Sequence, residues 1–182
     1  MDESQVVTAI NKARKGIVQY LELMDLRLHV DVSRDRSFQR KYNAFYRVRQ
    51  RPKEWYELYF SYMESCKANP PSFDSTIDYL FAALGRYEPS FSSKLVATLD
   101  PYQPVWDEFV LRNTNQKPPP YAAKNRVERA KVVYRNVQRW YVEYLPTGEA
   151  RRVIELFDRE VKDHDRVTNL KKIDFVLWQI RA

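Results

Sequence analysis

An all-α fold follows from three features of the chain. Apolar residues recur at three- and four-residue spacing in segment after segment, no stretch alternates apolar and polar residues as a half-buried strand would, and prolines stand between the periodic segments. From Ser4 to about His29 the residues Val6, Ile10, Ile17, Leu21, Met24 and Leu28 mark a long amphipathic helix, with Gly16 as its weak point. Pro52 starts the next, whose apolar side is Trp55, Leu58, Tyr59, Tyr62, Met63 and Cys66, and Asn69-Pro70-Pro71 stops it. Phe73 to Leu84 forms another, with Ser72 or Asp74 available as cap and Gly85 as the residue just outside its end.

Next comes the densest stretch, Ser90 to Leu111. Phe91, Leu95, Val96 and Leu99 recur at helical spacing, Asp100-Pro101 ends that helix, and Pro104 precedes a second pattern of Val105, Phe109 and Val110. Asn113 to Pro120 is the loop-like segment, and its three consecutive prolines favour a stiff, extended crossing. Val127, Ala130, Val133, Val137, Trp140, Tyr141 and Tyr144 then predict a long helix ending near Pro146. Val153, Leu156, Phe157 and Val161 predict a shorter one, and Leu170, Ile173, Leu177 and Ile180 a last one.

At 182 residues, 44% hydrophobic and 30% charged, the chain has the composition of one globular domain. The expected unit is 1–182, with lobes over 52–120 and over 1–51 plus 121–182. One cysteine, Cys66, forms no internal disulfide, and with only His29 and His164 beside it no His/Cys metal set can be assembled, so a reducing, cytoplasmic setting and no cofactor are expected. Met1 leads into a polar, acidic start and no run of about 18 apolar residues occurs, so neither a signal peptide nor a membrane span is expected. Three glycines in all leave no room for a P-loop or dinucleotide fingerprint, and no metalloprotease motif or serine elbow is present.

The formal net charge is +7, which attracts polyanions. The cations gather in two bands. One holds Arg34, Arg36, Arg40, Lys41, Arg47, Arg49, Arg51 and Lys53; the other holds Lys124, Arg126, Arg129, Lys131, Arg135 and Arg139. Tyr42, Phe45 and Tyr46 interleave the first, Tyr134 and Trp140 the second. Such rings either stack on bases or simply fill the core.

Asp107 is the acid that stands out, set at the start of a short helix after a proline-marked turn. As an N-cap it would accept orphan backbone N–H groups; at the mouth of a cleft it would be a working carboxylate. Its segment resembles the second hairpin helix and following turn of the helix-hairpin-helix base-excision DNA glycosylase superfamily. Lys94 to Leu99, Asp100-Pro101 and Pro104-Val105-Trp106-Asp107 follow the family's order, and Asp107 falls on the aspartate that assists base excision there. Ile173 to Ile180 is similar to the last helix of small uncharacterised relatives. The resemblance implies a two-lobed helical fold with a degenerate hairpin, because Glu88-Pro-Ser-Phe91 stands where the family carries a glycine-rich, phosphate-holding turn, and proline lacks the N–H such a contact needs. It also implies single-step excision, with Asp107 stabilising a cationic sugar and orienting water. The family's Schiff-base lysine opens the hairpin helix, where Ser90 stands here, and Lys94 lies a turn further on.

Three readings stay open. In the first, a glycosylase-like protein works on an extruded base with Asp107, walled by Trp106, Tyr102 and Tyr87, while Lys94, Arg126, Arg129, Arg135, Arg47 and Arg49 hold nucleic acid, specifically DNA. The second is a non-catalytic nucleic-acid binder on the same scaffold. The third is a helical interaction protein whose cationic bands meet an acidic protein partner.

Overall fold

The computed structural model describes residues 1–180, and every regular element among them is helical. The order is α1 (Glu3–His29), α2 (Arg36–Phe45), α3 (Lys53–Ser65), α4 (Phe73–Leu84), α5 (Pro89–Leu99), α6 (Glu108–Asn113), α7 (Arg126–Tyr144), α8 (Gly148–Glu160) and α9 (Asn169–Leu177), with one 3₁₀ turn at His164–Arg166. No described helix is long and apolar enough to cross a membrane.

Local chemistry sets the boundaries. Asp2, Asp35, Ser72, Asp107, Thr147 and Thr168 each accept a backbone N–H from the first turn of the helix they precede. Gly85 closes α4 at φ 63°, a left-handed position that costs glycine nothing. Pro89 sits in the first turn of α5, where its missing N–H is no loss.

The apolar faces close on two adjoining cores. The first takes Val6 to Leu21 of α1 together with α7, α8, α9 and the Trp106–Leu111 segment; Phe157, Ile173 and Val176 are fully buried in it. The second joins Leu23 to α2, α3 and α5. Its centre is aromatic: Trp55 stacks on Tyr59 at 4.5 Å, and the Tyr42 and Tyr59 hydroxyls meet at 2.6 Å. Tyr59 donates its hydroxyl to the Phe91 carbonyl at 2.8 Å, so no buried hydroxyl of this pair is left unsatisfied. Phe45 and Trp178 pack against both cores.

One ionic group lies wholly inside. Lys171 Nζ meets Asp174 Oδ2 at 2.7 Å with both side chains sealed from solvent, and Tyr141 donates its hydroxyl to Asp174 Oδ1. Burial pushes the Asp174 carboxyl up, against the pull of the Lys171 ammonium.

α2 is an element the apolar pattern did not announce. It buries only Phe38 and Tyr42 fully, on a ten-residue helix that also carries Arg36, Arg40 and Lys41. The rings of the first basic band go inward: Tyr42 and Tyr46 are buried, and so is Tyr134 of the second. They fill the core, and of the first band Phe45 and the buried Tyr46 also reach a cavity wall.

Candidate functional site

The turn that carries Asp107 is fixed from four directions. Ser93 Oγ accepts the Trp106 N–H at 2.8 Å and Ser90 donates its hydroxyl to the Trp106 carbonyl at 3.1 Å, so two serines one turn apart on α5 hold the peptide just before Asp107. Tyr134 donates its hydroxyl to the Pro104 carbonyl at 2.8 Å, Thr168 to the Pro101 carbonyl at 2.8 Å, and Arg27 donates to the carbonyls of Thr98 and Leu99 at the end of α5. A loop restrained this thoroughly delivers its next side chain to one place.

Asp107 caps α6, accepting the Phe109 N–H on Oδ1 at 2.9 Å, while Oδ2 makes no hydrogen bond among the described residues. The capping role and an available oxygen therefore coexist. The half-exposed carboxylate lines a cavity of about 530 Å³ together with Lys94. Lys12, Lys15 and Gly16 of α1, Arg47 after α2, and the rings of Phe45, Phe175 and Trp178 complete its walls. Four cations thus face a single carboxylate.

Lys94 is the unusual cation. Its ammonium donates to the Tyr46 carbonyl at 3.2 Å and lies 5.0 Å from the Phe91 ring centroid. Burial pulls its pKa down to about 8, the negative charge of Asp107 opposes that fall, and Arg47 and Arg51 add to it. Near pH 7 it remains mostly cationic, yet an amine this close to neutrality exchanges protons readily. Arg47 sits at φ 55°, a left-handed conformation uncommon for any residue other than glycine, and Val48 N–H returns to the Asn43 carbonyl around it at 2.9 Å.

Asp107 also lines a second cavity, about 650 Å³, together with Ser90, Trp106, Leu111 and Lys117. Trp106 is buried and parallel to Phe73, with centroids 6.1 Å apart. Tyr87 stands apart from both cavities and carries the Arg126 guanidinium over its ring at 4.0 Å, with Tyr121 also against that guanidinium at 4.8 Å. Tyr102 faces away from Asp107: its N–H donates to Asp100 Oδ1 at 3.0 Å, and its ring, 71% exposed, lines a separate groove beside α7.

The remaining expected cations are dispersed. Arg49 is exposed next to Arg47, and Arg129 is exposed on α7. Arg135 pairs with Asp74 at 2.6 Å, and Lys131 of the same band is held between Asp78 and Glu128. The structure brings Lys94, Arg47 and Asp107 together and leaves Arg126, Arg129 and Arg135 on α7, outside that cavity. Lys12, Lys15, Phe45 and Trp178 belong to the site without any motif to mark them; the one hint is Gly16, placed mid-helix where a side chain would project into the cavity.

The hairpin-like connection between α4 and α5 carries Glu88 at the start of α5, buried and paired with Arg51 at 3.2 Å. A carboxylate there, followed by Pro89, is the opposite of an anion-binding turn. Among the described residues no group of three or more His, Cys, Asp or Glu is placed to hold a metal ion. Compared with protein-family models, with curated proteins and with solved structures, the chain matches none.

Proposed function

We propose that the protein binds DNA and accepts an extruded nucleotide in the Asp107–Lys94 cavity, where Asp107 assists cleavage of the bond between base and sugar. One observation carries this: a carboxylate with a free oxygen shares a cavity of about 530 Å³, aromatic on one side, with Lys94 and three further cations. The volume suits a single nucleotide, the rings offer stacking, and the cations suit flanking phosphates. As the base leaves with the bonding electron pair, the sugar becomes cationic, and Asp107 Oδ2 offsets that charge. Water then adds to the cationic sugar carbon, and the proton it loses passes by way of Asp107 Oδ2 to the departed base, which leaves neutral. Lys94, cationic near pH 7, pairs with the phosphate or the departing base.

Incubating the protein with a panel of oligonucleotides, each carrying one damaged base, and analysing the products by mass tests this directly. Free base released by the wild type and lost in Asp107→Asn, with binding retained, is the expected result. Binding without release from any member of the panel supports instead a non-catalytic nucleic-acid binder. Glu88 and Pro89 at the start of α5 favour that second reading, because they remove the anion-binding hairpin. No binding to any oligonucleotide defeats both.

A further inference from the structure

Arg36 and Arg40, one turn apart on the outer face of α2, have no carboxylate partner among the described residues. They line a groove of about 690 Å³ between α2 and the start of α3, together with Arg34, Arg51, Lys53 and Tyr56. Arg34 is drawn toward Asp31 at 3.5 Å, Lys53 toward Glu57 at 3.2 Å and Arg51 toward Glu88 at 3.2 Å, so Arg36 and Arg40 carry the groove's uncompensated charge. Asn43 also lines it, with a buried side-chain oxygen that has no hydrogen-bond partner. Cations, one half-exposed ring and an unfilled acceptor together suit a ligand that carries phosphates, base faces and amino groups.

The groove leads to the site. Arg51 lines the groove and Lys94 lines the Asp107 cavity, and both lie against the same ring, Phe91, at 4.8 and 5.0 Å. The cations Arg36, Arg40, Arg51 and Lys94 thus lead from the groove to the cavity, with the Arg51 charge paired to Glu88 on the way. A duplex is stiff and presents its bases edge-on within its grooves, whereas a single strand can follow a narrow track and lay its bases on Tyr56. We propose that this groove binds an unpaired nucleic-acid strand and feeds it past Phe91 toward the Asp107 cavity. The proposal rests on the nucleic-acid reading above and is independent of excision.

Fluorescence anisotropy with labelled oligonucleotides at several salt concentrations tests it. Arg36→Gln combined with Arg40→Gln removes two phosphate contacts and flattens the slope of log affinity against log salt for a single strand by about 1.4. Arg151→Gln combined with Arg152→Gln removes the same charge from exposed positions on α8 and leaves that slope nearly unchanged. Tyr56→Ala weakens a base-bearing strand by about tenfold and leaves a strand of abasic sugar-phosphates unaffected. Equal effects of the two arginine pairs overturn the groove assignment while leaving nucleic-acid binding intact. A loss confined to duplex overturns the single-strand assignment, and an equal loss of base-bearing and abasic strands in Tyr56→Ala does the same. A wild type that binds no oligonucleotide overturns this proposal and the reading beneath it together.

Discussion

The Trp106 backbone N–H donates to Ser93 Oγ at 2.8 Å, in a part of the molecule where the serine is fully buried. That one bond ties α5 to the peptide preceding Asp107. Ser93→Ala removes the acceptor and leaves a buried N–H without a partner, which costs about 1–3 kcal/mol. Denaturant unfolding measures it; a change below about 0.5 kcal/mol means that water or a neighbour replaces the hydroxyl.

The sealed ion pair makes a sharper demand. Asp174→Asn keeps an acceptor for Tyr141 yet strands the Lys171 ammonium without a counter-charge, at a cost of about 3–5 kcal/mol. Replacing both partners, Lys171→Met with Asp174→Leu, restores most of that loss, because an apolar pair needs no desolvation. Thermal unfolding of the three proteins decides it. A double variant as unstable as the single one shows that Tyr141, left alone, is the costly group.

Lys94 gives stability a pH signature. Unfolded, a lysine titrates near 10.4; folded, this one titrates at about 8. Between those values the unfolded chain binds more protons than the folded one, so stability rises as pH climbs from about 8 to about 10. Above that range the buried hydroxyls of Tyr42, Tyr46 and Tyr59, all raised by burial, reverse the trend, since the unfolded chain loses those protons first. Lys94→Met shows a flatter profile between pH 8 and 10. Superimposable profiles for the two proteins contradict the cavity environment described for this amine.

Gly16 occupies the middle of α1 although a Cβ there would meet nothing nearer than the Phe175 ring at 4.0 Å. Packing does not require a glycine, and helix propensity disfavours it. Gly16→Ala therefore raises stability by about 1 kcal/mol. Gly16→Leu projects into the cavity and blocks ligand while leaving the helix intact; binding by that variant equal to wild type removes the cavity from the ligand's path.

Much of this was legible in the chain. The apolar stripes and cap residues located α1, α3, α4, α5, α7, α8 and α9, and Ser72 with Gly85 marked both ends of α4, because those signals are local. α2 escaped because its two fully buried residues, Phe38 and Tyr42, are outnumbered by the cations Arg36, Arg40 and Lys41. Leu28, counted in the stripe of α1, is 65% exposed, whereas Leu23, off that stripe, is fully buried, since the last turns of the helix face the second core rather than the first. The meeting of Lys94 with Asp107 was partly readable from their shared segment. Lys12, Lys15 and Trp178 were not, because they reach the cavity from both ends of the chain and only tertiary packing assembles them.

Trp178 is placed to report on all of this. Its indole joins the two cores, lies 5.8 Å from Phe45, and forms part of the cavity wall beside Lys94 and Asp107. An occupant would change the polarity around that indole, so its ultraviolet emission would register arrival without any attached label. Because the same ring belongs to both halves of the interior, whatever settles there also stiffens the seam between them, and a guest at one point would be felt as a tightening of the entire molecule.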